Sequence, residues 1–160
     1  MQGKREAEEE EGKRSEEGEK TAEELLLVGE KFLGEGRYEE AIEIYKEIVR
    51  KEPIRPTLAK VCNDCGVAYA SLEQYEMAKG FFNAALNLSR YLMKGFFNAA
   101  LNLSRYLMDE GISACYNLAL LYKTTGEAEK AEQYFKRGEM IKQEHKRRDE
   151  EAERVFGAEV

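Results

Sequence analysis

Several residue types are scarce or missing from this chain. Its 160 residues include no tryptophan, two prolines and a single histidine, His145. No apolar run approaches the roughly 18–20 residues that cross a bilayer, so we expect no membrane span. Residues 1–5 lead into a glutamate-rich stretch without the apolar core of a secretory signal, and we therefore expect a cytoplasmic protein.

Unpaired positive charge is also lacking. The formal net charge is −7, and the strongest basic cluster, Lys146-Arg147-Arg148, is followed at once by Asp149-Glu150-Glu151. This alternation is typical of an ion-paired, solvated helix face, and it excludes the basic stripe of a nucleic-acid binder. With 36% charged and 42% apolar residues, the composition favours a helical protein.

The residues of common catalytic and metal sites are few. Cys62 and Cys65 have the spacing of a redox or zinc pair, but a zinc ion needs two further ligands, and the histidine lies far away in a charged tail. We interpret these thiols and Cys115 as small core residues. The sequence contains neither a phosphate-binding loop nor a nucleophile elbow. We therefore expect no enzyme, no cofactor and no metal site.

One feature stands out among the residues that are present. Residues 79–93 recur letter for letter as residues 94–108. Natural repeats diverge, because most surface positions accept many residues and nothing keeps two copies identical. The copy is therefore a very recent duplication or a deliberate one. We favour the second, introduced to test how a fold accommodates an additional helix.

A second, looser pattern repeats along the chain. Each unit has a small residue, an aromatic or other large residue three positions later, a short turn, an alanine, and an aromatic four positions after that. The three units carry Gly29, Phe32, Ala41 and Tyr45; Gly66, Tyr69, Ala78 and Phe82; and Ala119, Tyr122, Ala131 and Phe135. Small residues let two antiparallel helices approach closely, and the aromatics fill the space between neighbouring helices.

This spacing resembles the tetratricopeptide repeat from about residue 21 to residue 142. The resemblance implies an all-α fold, in which about three antiparallel helix-turn-helix repeats stack into a superhelix with one duplicated, elongated helix. The alanines of the first and second units are 37 residues apart, and those of the second and third 53, which becomes 38 without the 15 duplicated residues. The insertion therefore lies in the second helix of the second unit.

The pattern divides the chain into three regions. We predict a disordered, charged segment over 1–20, repeats over 21–142 and a charged helical extension over 143–160 that caps the open end of the stack. The repeats are predicted to span 22–55, 59–108 and 111–142, with helices near 21–34, 38–51, 57–72, 75–108, 111–124 and 127–155.

The predicted helix over 75–108 joins both copies. A glycine inside a helix costs only about 1 kcal/mol, and Asp109-Glu110-Gly111 follows the second copy as a terminator. The third unit would then be carried about 22 Å along the helix, which leaves apolar flanks that a homodimer through the elongated helix could cover. The alternatives are an additional reversed helix and a looped-out copy.

The resemblance also implies a binding groove lined by the first helix of each unit. Its central candidates are Glu30, Lys60, Asn63, Asp64, Tyr116, Asn117, Leu120 and Lys123. The asparagines Asn63 and Asn117 could hold a peptide backbone through one donor and one acceptor. Related repeats clamp a carboxylate terminus with cations at positions that Leu26, Ser113 and Asn117 occupy here, and with asparagines at the positions of Glu30 and Asp64. The cations are missing and the two acids would repel a carboxylate, so a neutral or basic segment suits this groove better.

The sequence therefore predicts a non-enzymatic protein-protein interaction scaffold, in this form an engineered variant that probes a duplicated helix. The alternative is a natural adaptor module that binds a neutral or basic peptide in its concave groove. Protein or peptide ligands are the expected partners, with neither nucleic acid nor membrane among them.

Overall fold

A computed structural model describes residues 18–93 and 101–157 of the chain, with side chains for 18–89, 109–155 and 157. These ranges contain helices and connecting turns. The helices are α1 (Ala22–Gly34), α2 (Tyr38–Arg50), α3 (Arg55–Ser71), α4 (Tyr75–Met93), α5 (Leu101–Thr124) and α6 (Ala128–Phe156). The all-α, helix-turn-helix architecture predicted from the repeat spacing is confirmed.

Local sequence signals explain where the first helices begin. Thr21 caps α1: its Oγ1 accepts a hydrogen bond from the Glu24 backbone amide at 3.2 Å, and its own amide donates to Glu24 Oε2 at 2.9 Å. This reciprocal pair satisfies two amides that the first turn leaves free. In α3, Pro56 occupies the first turn, where its missing amide proton carries no cost.

The two helices of a unit approach closely at the predicted small residues. A methyl group built on Gly29 would lie 2.5 Å from a ring carbon of Tyr45, and one built on Gly66 would lie 2.4 Å from Phe82. Only glycine leaves room for each ring. The rings of Tyr45 and Phe82 are among the most completely buried large side chains described, so the repeat pattern identified the core correctly in the first two units.

The predicted helix over 75–108 is wrong. Helix α4 ends at Met93, and the described part of the second copy, residues 101–108, is the beginning of α5. A methyl group built on Gly111 would lie 2.9 Å from Ser89 Cβ, whereas a continuous helix would hold these residues about 33 Å apart. The chain therefore changes direction between Met93 and Leu101. The junction itself, residues 94–100, lies outside the described residues.

The predicted terminator Asp109-Glu110-Gly111 is a second correction. These residues lie inside α5, and Glu110 and Gly111 are buried against the preceding unit. Glycine remains compatible with a helix where a neighbouring backbone or side chain needs its space. Here Gly111 makes room for Ser89, so it serves packing rather than helix termination.

Helix α6 runs antiparallel to α5 well beyond the repeat. His145 Nδ1 lies 3.3 Å from Asp109 Oδ1, which places the extended part of α6 beside the beginning of the third unit. Its outer face carries ion pairs, such as Arg147 with Glu144 at 2.7 Å and with Glu151 at 3.1 Å. The predicted disordered segment over 1–20 falls almost entirely on residues outside the described ranges.

Candidate functional site

The first helices of the three units form one continuous surface. Helix α3 packs against both α1 and α5, so residues from all three helices meet along one side of the stack. The predicted groove residues lie along this row, but the structure separates them into two groups. One group forms an inner network of polar side chains, and the other lines an apolar depression at the end of the stack.

The first half of the inner network joins units one and two. Lys60 Nζ lies 2.7 Å from Asp64 Oδ2 and 3.2 Å from Glu30 Oε1, and Tyr45 Oη donates to Asp64 Oδ2 at 3.4 Å. Burial raises the pKa of Asp64 although Lys60 opposes it. Burial alone would lower the pKa of Lys60, but the two carboxylates outweigh it and raise that pKa to about 12. Lys60 is therefore a charged cross-link between helices.

The second half joins units two and three. Asn117 Nδ2 donates to Asn63 Oδ1 at 3.0 Å, and Asn63 Nδ2 donates to Glu110 Oε2 at 3.3 Å. Asn63 is buried and Asn117 half-buried, so the two asparagines expected to hold a peptide backbone bind each other. Their first role is to satisfy polar groups at the junction between repeats.

Sequence reasoning missed Glu110. Its carboxyl group is buried, and burial raises its pKa above the ordinary range. The repeat alignment contained a usable signal, because Glu110 lies nine positions before Ala119 and Thr57 lies nine positions before Gly66. Thr57 is also buried and polar, so the same repeat position holds a buried polar residue in both units.

The remaining predicted residues line the open end of the stack. Tyr116, Leu120 and Lys123 share a depression of about 500 Å³ with Ala119, Ala131, Glu132 and Phe135. The rings of Tyr116 and Phe135 lie 5.6 Å apart, and Tyr116 Oη donates to Glu139 on α6. Leu120 is 64% exposed and Phe135 52%. The predicted cap over this end is therefore wrong for these two side chains.

The three cysteines are free and buried. Burial raises the pKa of Cys62 to about 11 and, together with its neighbours, that of Cys65 to about 12. Burial also raises the pKa of Cys115. Thiols that stay protonated near neutral pH are poor nucleophiles and poor metal ligands. Within the described ranges, the His, Cys, Asp and Glu side chains form no group of three that could hold a metal ion.

The polar side chains of the inner network are therefore already paired with each other. The surface offers hydrogen-bonding edges and an apolar depression rather than a reactive group. Among the described helices, none is both long and apolar enough to cross a membrane.

Comparison with known families agrees with this geometry. Residues 59–91, which span most of α3 and α4, and residues 112–145, in α5 and α6, match one family model. Both segments match the tetratricopeptide repeat. Together they cover fewer than half of the residues, and the second copy lies between them. No curated protein matches the chain. The matches support the tetratricopeptide family, whose repeats are in general non-enzymatic protein-interaction scaffolds.

Proposed function

We propose that the chain is a tetratricopeptide-type interaction scaffold whose concave face binds a neutral or basic peptide segment. The observation that carries this proposal is the charge of the inner network. Glu30, Asp64 and Glu110 are acids, and Lys60 is the cation among them. The excess negative charge attracts lysine or arginine side chains and repels a carboxylate terminus.

A titration with matched peptides tests this proposal. Fluorescence anisotropy would compare labelled peptides of equal length that bear lysines, no charge or glutamates. We expect the lysine-bearing peptide to bind best, the glutamate-bearing peptide worst, and the difference to shrink as salt is added. Equal binding of all three peptides, or tighter binding of the acidic one, would contradict the proposal.

Glu30→Gln is the informative variant, because this carboxylate is partly exposed on α1. We expect it to weaken the lysine-bearing peptide by about two- to fivefold, the size of one exposed ion pair. Glu43→Gln removes the same charge from the exposed face of α2 and serves as the matched control. Asn117→Ala is less informative, because it also removes the hydrogen bond to Asn63.

We also propose that the duplicated segment is an engineered insertion in a three-repeat parent. The identity of the two copies supports this origin, and so does the position of the first copy, which packs as α4 while the second begins α5. An insertion without a selected role should leave the groove intact. We therefore expect a chain without residues 94–108 to bind the lysine-bearing peptide with unchanged affinity. A large loss of affinity would indicate that the copy itself contributes to binding.

A homodimer stays a prediction, although the elongated helix that was its stated reason is wrong. The uncovered flanks were expected from a helix over 75–108, and α4 ends at Met93. Light scattering after size exclusion would test the dimer. A mass that stays near twice 18.4 kDa over a wide concentration range supports it, and a concentration-independent monomer contradicts it.

A further inference from the structure

The depression at the open end of the stack lies where a following repeat unit would pack on the third unit. Phe135 follows Ala131 by four residues, as Tyr45 follows Ala41 and Phe82 follows Ala78. Tyr45 is 0% exposed and Phe82 2%, whereas Phe135 is 52% exposed. The three aromatics occupy one repeat position. At the two internal junctions the helix that carries the ring packs against the first helix of the following unit, and Tyr45 contacts Asp64 there.

The opposite end of the stack has a matching exposed residue. Leu27 lies two positions before Gly29, as Asp64 lies two before Gly66 and Asn117 two before Ala119. At the internal junctions this position contacts the preceding unit, through Asp64 with Tyr45 and through Asn117 with Asn63. Leu27 occupies it in the first unit and is 68% exposed.

The two internal contacts specify which residues would meet if the ends joined. Phe135 holds the repeat position of Tyr45, and Leu27 holds that of Asp64. The contact at the ends that corresponds to Tyr45–Asp64 is therefore Phe135 with Leu27. The Asn63–Asn117 contact becomes Tyr116 against Leu27, because Asn63 and Tyr116 hold the same position. Both transfers bring Leu27 to the aromatic pair Tyr116–Phe135, whose ring centroids lie 5.6 Å apart.

The chemistry of the two ends is complementary. Each internal contact pairs a hydrogen-bond donor with an acceptor, so replacing one partner alone would leave a buried polar group unpaired. At the two ends of the stack, both equivalent positions are apolar. Leu27 stands where the internal junctions have a polar residue, and the rings of Phe135 and Tyr116 stand at the positions that would contact it. The phenol of Tyr116 is already bound by Glu139. The groups that would meet Leu27 are therefore apolar, while Lys123 and Glu132 also line the depression.

We propose that the open end of one chain binds the first unit of a second copy, which continues the repeat stack between molecules. Helix α1 of the second copy lies over α5 and α6 of the first, with Leu27 in the depression lined by Leu120 and Phe135. Different surfaces of the two chains meet, so the contact is head-to-tail and leaves a free end on each side. Assembly therefore continues beyond two chains as concentration rises.

Sedimentation velocity of the full chain over a wide concentration range tests this proposal. We expect the mean mass to rise beyond that of two chains. Leu27→Glu and Phe135→Glu each place a charge in the junction, and each alone should raise the dissociation constant at least about tenfold. Ile54→Glu makes a similar change at an exposed residue between α2 and α3 and should leave association unchanged.

Mixing the two variants provides the decisive measurement. Leu27→Glu keeps an intact open end, and Phe135→Glu keeps an intact first unit, so an equimolar mixture should form a species of two chains and no larger one. This rescue also demonstrates that both variants are folded. A wild-type chain that stays monomeric would overturn the proposal. A symmetric contact would also overturn it. In that case Phe135→Glu abolishes association, Leu27→Glu leaves it unchanged, and the mixture shows no rescue.

Discussion

Single glycines determine how closely the helices of a unit approach. Gly29 and Gly66 lie under the rings of Tyr45 and Phe82, and any larger residue would meet ring atoms within 3 Å. Both contacts were predictable, because the repeat spacing pairs a small residue on the first helix with an aromatic on the second. The contact of Gly111 with Ser89 was not, because it joins two units and follows no repeated spacing.

Gly66→Ala should destabilise the protein by about 1–3 kcal/mol, because the added methyl group overlaps a fully buried ring. Gly80→Ala is the matched control. A methyl group at Gly80 meets nothing within 4 Å, so the better helix propensity of alanine should stabilise the protein by about 0.5–1 kcal/mol. Urea unfolding measures both, and a Gly66→Ala protein as stable as the parent would show that Phe82 can move aside.

Glu110 should make stability depend on pH. Burial raises its folded pKa above the ordinary 4.5, so the fold prefers the protonated acid. Its favourable contribution is fully present below the unfolded pKa and is lost as pH rises through the folded pKa. Glu110→Gln removes this titration and keeps an oxygen for the Asn63 amide.

We therefore expect Glu110→Gln to be more stable than the parent near neutral pH, with a smaller loss of unfolding free energy as pH rises above 4.5. Thermal unfolding across this range measures the difference between the two proteins. Glu43→Gln is the control: Lys46 lowers the pKa of this exposed acid, and its loss should not stabilise the fold. Parallel pH profiles of parent and Glu110→Gln would contradict the assignment.

At the scale of elements, one turn geometry recurs in every unit. Gly36, Glu73 and Gly126 have φ values of 73°, 59° and 81°. In each turn the amide of the next residue donates to a carbonyl five residues earlier, at 2.9 Å, 2.9 Å and 2.8 Å. This is the left-handed closure that glycine adopts without strain. The middle turn reaches it with a glutamate.

Glu73→Gly should therefore stabilise the protein by about 0.5–1 kcal/mol, because relief of the left-handed strain exceeds the added freedom of the unfolded chain. Gly36→Ala at the equivalent turn should have the opposite sign and cost about 1 kcal/mol. Denaturant midpoints of the two variants provide the comparison. If Glu73→Gly proves destabilising, the glutamate side chain must contribute contacts that outweigh its backbone strain.

Away from the duplication, the helix bounds were predicted to within about two residues, because apolar periodicity and turn residues agree there. The end of α4 and the beginning of α5 were not. The reversal between the copies could not be predicted. Lys94-Gly95 repeats Lys79-Gly80, so the local sequence at the junction is the sequence of a helix interior. The reversal is instead stabilised by packing of α5 on α4, a contact between residues distant in the chain.

At the scale of the whole molecule, removal of one copy should be tolerated. Deleting residues 79–93 or 94–108 gives the same chain, and it restores near-equal spacing between the key alanines. We expect this chain to keep the contact of α5 with α4 and to unfold cooperatively, with a midpoint close to that of the parent. Circular dichroism during urea unfolding measures this, and loss of cooperative unfolding would show that the second copy has become part of the core.

The surface that we propose for binding could be anticipated from the sequence in part. Repeat position determines which helix a residue occupies, and the candidate residues lie on α1, α3 and α5. The sequence could not assign their partners: Asn63 with Asn117, Lys60 with Glu30, and Tyr116 with Phe135 are pairs between helices. Their geometry depends on how each helix is rotated and shifted against the next, and helix periodicity alone does not determine this.

The identity of the copies gives the chain two competing registers. Residues 94–108 would present to α3 the same fifteen side chains as residues 79–93, preceded by Met93 in place of Ala78. Ala78 is fully buried in the described arrangement, and a methionine there would overfill a space shaped for one methyl group. The residues that precede each copy, Ala78 among them, therefore distinguish the two registers, whereas the fifteen that follow are the same in both.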